Sequence, residues 1–166
     1  MQKFFVEALP RSAILNAYPL VHLAVPTLDL PAWRRFAHLA LDRRRGTLAG
    51  ILAARRAARR HICGLVCYRR EPDLILGQVI QARNLIAIDM LDTQPIVLAL
   101  LSSLRSLALA NGCSSVHLMM PDAEFAGSQL PDLIGRLDRR SAFNRWVDVN
   151  FSANEFISRR PSELIH

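Results

Sequence analysis

The stretch from Ile86 to Met120, IAIDMLDTQPIVLALLSSLRSLALANGCSSVHLMM, decides the fold of this 166-residue chain. It opens as an apolar, strand-like run through Ile86, Ala87 and Ile88. Asp92-Thr93-Gln94-Pro95 then reads as a helix start: a polar capping residue, followed by proline in the first turn where a missing N–H does no harm. Leu100, Leu101, Leu104, Leu107 and Ala108 recur at three-and-four spacing and lay one apolar stripe along that helix. Asn111-Gly112 closes it, because glycine takes the left-handed conformation of a helix end without steric cost. Ser115 to Met120 is a second, buried strand, stopped by Pro121. Two strands joined through one helix need a crossover, which makes them parallel and neighbours in a sheet.

Upstream, the pattern is of antiparallel strands. Thr47 to Ala54 and Ile62 to Tyr68 are apolar runs across a basic turn, Arg55-Arg56-Ala57-Ala58-Arg59-Arg60. Glu71-Pro72-Asp73 has turn chemistry, and Leu76 to Met90 is long enough to predict a bulge or bend near Arg83-Asn84. Before these, Lys3 to Leu9 predicts a strand and Ser12 to Leu20 a helix capped by Ser12. A clearer helix follows, with Asp29 as cap, Pro31 in its first turn and Trp33, Phe36, Leu39, Ala40 and Leu41 as its stripe. Downstream, Leu130 to Ser141 predicts another helix and Trp146 to Phe156 a closing strand or hairpin. The expected fold class is α+β, a mixed α/β arrangement: one domain over residues 1–166, with a mostly antiparallel twisted sheet, one parallel pair and flanking helices.

Composition narrows the function classes. Apolar residues make up 51% of the chain, enough for a real core, so disorder is excluded. No apolar run approaches the ~20 residues of a membrane span, and the acidic Glu7 breaks any leader-like start, so the chain is read as cytoplasmic. Three cysteines do not make a disulfide framework. Cys63 and Cys67, four apart in a strand, are expected on one face as buried filler rather than with His61 on a metal. The net charge of +7 is almost wholly arginine, since Lys3 is the only lysine among 21 basic residues. The arginines between Arg55 and Arg60 would attract a polyanion. Nucleic-acid modules add exposed aromatics or a recognition helix; neither is evident, and nucleic acid is not an expected partner.

On Ala99-Leu100-Leu101-Ser102-Ser103-Leu104-Arg105-Ser106-Leu107-Ala108-Leu109-Ala110-Asn111-Gly112-Cys113-Ser114-Ser115-Val116-His117-Leu118 the chain resembles the core helix, glycine turn and following strand of the GNAT acetyltransferase superfamily. The likeness runs from about Thr47 to Phe151, with Val149-Asn150-Phe151 where the family commonly has Leu-Gly-Phe. It implies that the two parallel strands splay and take the acyl-pantetheine arm of acetyl-CoA or another acyl-CoA. The pyrophosphate would then sit on the amino end of the core helix, on N–H groups and the positive dipole end. Met90, Leu91, Thr93, Gln94, Ile96 and Val97 are the implied cofactor-binding positions, and Asp89, Tyr68 and His117 the candidate catalytic ones.

The chain departs from the family in its loop. Against the pattern Arg/Gln-x-x-Gly-x-Gly/Ala it sets Asp92-Thr93-Gln94-Pro95-Ile96-Val97, with a carboxylate, a proline and a bulky side chain at the patterned positions. Trp146 stands where the family has its tyrosine acid, and an indole N–H does not protonate a thiolate. The expected function is transfer of an acyl group, acetyl above all, to an amine on a small molecule or protein. The alternative is a catalytically degenerate domain that binds a partner or ligand. Self-association as a homodimer is left open.

Overall fold

The computed structural model describes residues 4–42, 48–57, 61–90 and 92–119, together with the backbone of two strands within 146–157. Seven strands form one sheet: β1 Phe4–Ala8, β2 Ala49–Arg56, β3 Ile62–Asp73, β4 Gly77–Ala87, β5 Ser115–Met119, β6 Trp146–Asn150 and β7 Phe156–Ile157. They lie in chain order. Every neighbouring pair is antiparallel except β4–β5, which is parallel, as the crossover between them requires. Among the described residues three helices cover the sheet: α1 Ile14–Ala24, α2 Leu30–Ala40 and α3 Gln94–Ala110. No described helix is long and apolar enough to cross a membrane. The expected helix over 130–141 lies outside the described residues, as do Arg59 and Arg60.

The sheet is buried on both sides, so its central strands are continuous apolar runs rather than alternating ones. Leu52, Ala54, Val66, Ile80, Ala82, Val116 and Leu118 pack against Ile96, Val97, Leu100 and Leu104 of α3. Ile51, Ala53, Ile62 and Leu65 pack on the other side with Ala17 and Val21 of α1 and with Trp33 and Ala37 of α2. The indole N–H of Trp33 donates to the Ile14 carbonyl at 2.8 Å, which ties α2 to the start of α1.

The helix ends follow the sequence in part. Asp29 caps α2, its carboxylate accepting from the Ala32 N–H at 2.7 Å, and Gly112 closes the turn after α3 at φ +66°. Ser12 caps nothing: it lies in a 3-10 turn, Arg11–Ala13, closed by Ala13 N–H on the Pro10 carbonyl, and α1 starts after it without a side-chain cap. The Glu71-Pro72-Asp73 turn also shifts. Glu71 and Pro72 still pair with β4, and the turn is Leu74 to Leu76, shaped by Asp73 accepting from Ile75 and Leu76 N–H.

Cys63 and Cys67 do not share a face. Ala54 pairs with Gly64 while Arg55 pairs with Ile62, so Cys63 is an extra residue in β3. A bulge of this kind turns two successive residues to one side and inverts the alternation after it. Cys63 consequently lies in the α3 core and Cys67 in the α1/α2 core. Both are buried free thiols, as is Cys113.

Candidate functional site

The two ends of the β4–β5 pair are built differently. At the amino end Ser114 clamps the strands: its N–H donates to the Gln78 carbonyl at 2.9 Å and its hydroxyl to the Leu76 carbonyl at 2.8 Å. Four residue pairs follow, Val79 with Ser115 through Ala82 with Leu118, and there the pairing ends. β4 continues to Ala87 against β3, and Ile88 N–H still reaches the Cys63 carbonyl at 2.9 Å. Past Ala82, no strand among the described residues pairs with β4 on the β5 side.

The cause of the parting is local. Leu65 pairs with Ile86 and Cys67 with Arg83, so Asn84 and Leu85 together oppose Val66. Asn84 sits at φ +54°, a left-handed conformation that asparagine tolerates better than most residues. The bulge lies at the predicted Arg83-Asn84 position. It increases the local twist of β4 just where β5 stops following it. The result is a strand edge that no described strand covers, ending beside the start of α3.

The candidate catalytic residues fall in three different places. Asp89 lies just beyond β4, its side chain only 5% exposed and in an ion pair with Arg56 of β2. Arg56 also stacks over the Phe4 ring, 6.0 Å from its centroid. Tyr68 is buried in the core under α3, its ring lying over Gly50. His117 is half-buried on the face of β5 away from α3, its Nε2 3.2 Å from the Ser115 hydroxyl. The geometry does not gather the three into one cluster. Arg56 went unread as a site residue because it belongs to an arginine run read as a basic turn between two strands. Its neighbour Arg55 is spent similarly, on Glu7 at 3.2 Å.

The cofactor positions surround the start of α3. Met90 is fully exposed and Leu91 lies outside the described residues. Ile96 and Val97 are 0% exposed as whole residues, so neither their side chains nor their backbone is presented to a ligand. That backbone is occupied, because Ile96 and Val97 N–H both donate to the Thr93 carbonyl at 3.1 Å. Pro95 has no N–H. The Gln94 N–H donates to the Asp92 carboxylate at 2.9 Å. The Gln94, Ile96 and Val97 N–H groups are thereby all engaged, and an exposed carboxylate stands at the positive end of the helix dipole.

No family model and no curated protein matches the sequence. Solved structures do match. The chain is similar to a ribosomal-protein-alanine N-acetyltransferase from Brucella melitensis biovar Abortus 2308, with TM-score 0.64 and 20% identity over 85% of this chain and 97% of that one. An aminoglycoside N-acetyltransferase, AAC(6')-Iy, in complex with CoA gives TM-score 0.63 at 9% identity, over 81% of this chain and 88% of that one. A glucosamine-6-phosphate N-acetyltransferase from Arabidopsis thaliana gives 0.59 at 13%, over 84% and 92%. The chain has the GNAT fold. At such identities the likeness establishes the fold, and the chemistry rests on the residues.

Tested against those residues, the cofactor that the GNAT fold implies fits in one half. A pantetheine arm carries two amides, and the open edge of β4 offers the backbone groups that such amides pair with. The pyrophosphate does not fit the start of α3. Thr93 and Gln94 contribute only neutral side chains there, and Asp92 sets a negative charge against it.

Proposed function

We propose that the chain is an N-acyltransferase that moves an acyl group, acetyl above all, from a thioester to an amine on a small molecule or protein. The observation that carries this reading is the end of β4–β5 pairing at Ala82 and Leu118, past which no described strand covers the β4 edge beside α3. An amide-bearing thioester arm lies along that edge as an added strand, with its carbonyl held by backbone N–H groups. The amine nitrogen attacks the carbonyl carbon, the C–N bond forms, the C–S bond breaks, and the amine proton ends on the departing thiol. Placing the two reactants side by side accounts for much of such a reaction. Asp89 is the carboxylate nearest in sequence to the open edge, and an amine would meet it as part of its pair with Arg56.

The test is a melting curve followed by a transfer assay, each with acetyl-CoA and S-acetyl-pantetheine in parallel. A donor at ten times its Kd stabilises by about 1.4 kcal/mol, or about 3–5 °C for a chain of this length. Mass spectrometry of an amine panel then shows the acetylated product. No shift and no product with either donor sinks the proposal.

The commitment of Asp89 to Arg56 and of Tyr68 to the core favours a second reading, a GNAT-fold domain that binds a thioester without transferring its acyl group. A melting shift with no product over the whole panel selects it.

A further inference from the structure

We infer that the donor site takes the acyl-pantetheine arm alone, and that Asp92 turns away the nucleotide end of coenzyme A. This rests on the proposed function, since it names the donor class of the same cleft.

Four observations converge on it. The Gln94, Ile96 and Val97 N–H groups already donate, to Asp92 and to the Thr93 carbonyl, and Pro95 has none to give. The first turn of α3 carries no acid of its own and the last turn no base, so Asp92 is the charge that decides the potential at this helix end. Arg56, the cation closest in the fold to Asp89, is bound to it. Arg83, the next cation along β4, donates to Gln81 on the same strand. A pyrophosphate brought here meets a like charge and spent N–H groups at Gln94, Ile96 and Val97, with only the neutral Thr93 hydroxyl and Gln94 amide to receive it. A pantetheine thioester is uncharged, needs only the β4 edge, and is indifferent to Asp92. The substrate class is therefore an acylated pantetheine whose far end is neutral or is held away from α3 by a carrier.

The experiment compares Kd for acetyl-CoA and S-acetyl-pantetheine, in wild type and in Asp92→Asn, at low ionic strength. Asparagine keeps an oxygen for the Gln94 N–H and removes only the charge; Asp92→Ala, at the same exposed position, is the second variant. Wild type should bind the two donors within about twofold of one another. Asp92→Asn should tighten acetyl-CoA by about two- to fivefold, the range one exposed charge at a helix end spans, and leave S-acetyl-pantetheine unchanged. Wild type binding acetyl-CoA tenfold or more tightly than S-acetyl-pantetheine overturns the inference while leaving the acyltransferase reading intact. So does a variant that tightens both donors equally, because the side chain then acts through the fold. Binding of neither donor overturns both. The same thioester on a phosphopantetheinylated carrier protein separates the two sources of the arm. Preference for the carrier form means delivery by a protein, and preference for the free thioester means a small-molecule donor.

Discussion

The sheet carries a helical layer on each side, and the two layers begin their helices in nearly the same words: Asp29-Leu30-Pro31 for α2, Asp92-Thr93-Gln94-Pro95 for α3. On the α1/α2 side the start is a fold device. Asp29 caps the helix, and one turn on, Trp33 is buried with its N–H on Ile14. On the α3 side the aspartate stands outside the helix, the residue at the cap position makes no side-chain bond, and the first turn is driven into the sheet by Ile96 and Val97. One layer uses its helix start to hold itself together. The other presents it at the mouth of a parted strand pair.

The largest effect expected from probing this difference lies under α3. A β-carbon at Gly64 would stand 2.4 Å from Ile96 Cγ2 and 3.2 Å from Leu100 Cδ1. Gly64→Val therefore lifts the first turns of α3 off β3 and should cost about 3 kcal/mol, the upper end for overpacking a closed core. Urea unfolding measures it. A loss of donor binding larger than the loss of stability accounts for would show that the start of α3 shapes the cleft. A variant as stable as wild type would show that α3 is free to shift.

Next in size is a pH effect that separates the two cores through their thiols. Burial pushes the Cys67 thiol, under α1 and α2, up to about 11, against a smaller opposing hydrogen bond from Asn84. Burial also raises Cys63, under α3, where the Arg56 charge works against it. A thiol whose folded value lies above its unfolded one holds its proton longer when folded. Its contribution is complete below the ordinary thiol range and is lost as pH rises from there through 11. Two pH units correspond to about 2.7 kcal/mol at most. Cys67→Ala is thus expected to flatten the fall in stability between pH 9 and 11 much more than Cys63→Ala does; equal slopes would contradict the assignment of the two thiols to different surroundings. Neither thiol should react with a disulfide reagent at neutral pH while the chain is folded.

What the sequence made legible was whatever is decided locally. The crossover from Ile86 to Met120, the Asp29 cap, the glycine closing α3 and the bulge at Asn84 each depend on a few adjacent residues, and each is where the pattern put it. The errors come from effects that need a partner strand. Cys63 and Cys67 have the spacing of one face, and only the register against Ala54 and Arg55 reveals the inserted residue. Arg56 and Asp89 are 33 residues apart, and nothing in either neighbourhood announces the pair. Nothing beside Gly64 in the chain shows that Ile96 and Leu100 of α3 lie against it. At the site, the departures at Asp92, Pro95 and Val97 were plain. Their shared consequence, a helix start whose Gln94, Ile96 and Val97 N–H groups are spent, needed the backbone hydrogen bonds.

Trp33 gives the third measure. Trp33→Phe keeps an aromatic ring in the α1/α2 core but removes the donor to the Ile14 carbonyl, leaving a buried acceptor unpaired. A cost of about 1.5 kcal/mol is expected, with no change in donor binding, because this layer lies on the opposite side of the sheet from α3. A change in donor affinity comparable to that of Gly64→Val would mean the two layers are not separate.

The smallest effects are the sharpest test. Asp29 accepts from the N–H three residues on, the bond that defines a helix cap, and Asp29→Ala should cost about 1 kcal/mol. Asp92 accepts from the N–H two residues on, a local bond of the kind aspartate also makes in chains without a helix. Behind it Ile96 and Val97 already have the Thr93 carbonyl, and the helix does not wait on Asp92 to begin. What remains is the attraction of its charge to the helix dipole, so Asp92→Ala should cost about 0.5 kcal/mol, and Asp92→Asn nearly as much, because the charge is what both remove. If alanine at 92 costs as much as alanine at 29 while asparagine costs nothing, the hydrogen bond and not the charge is the residue's work. Asp92 is then a cap like Asp29, and its place at the open end of β4 carries no message about the donor.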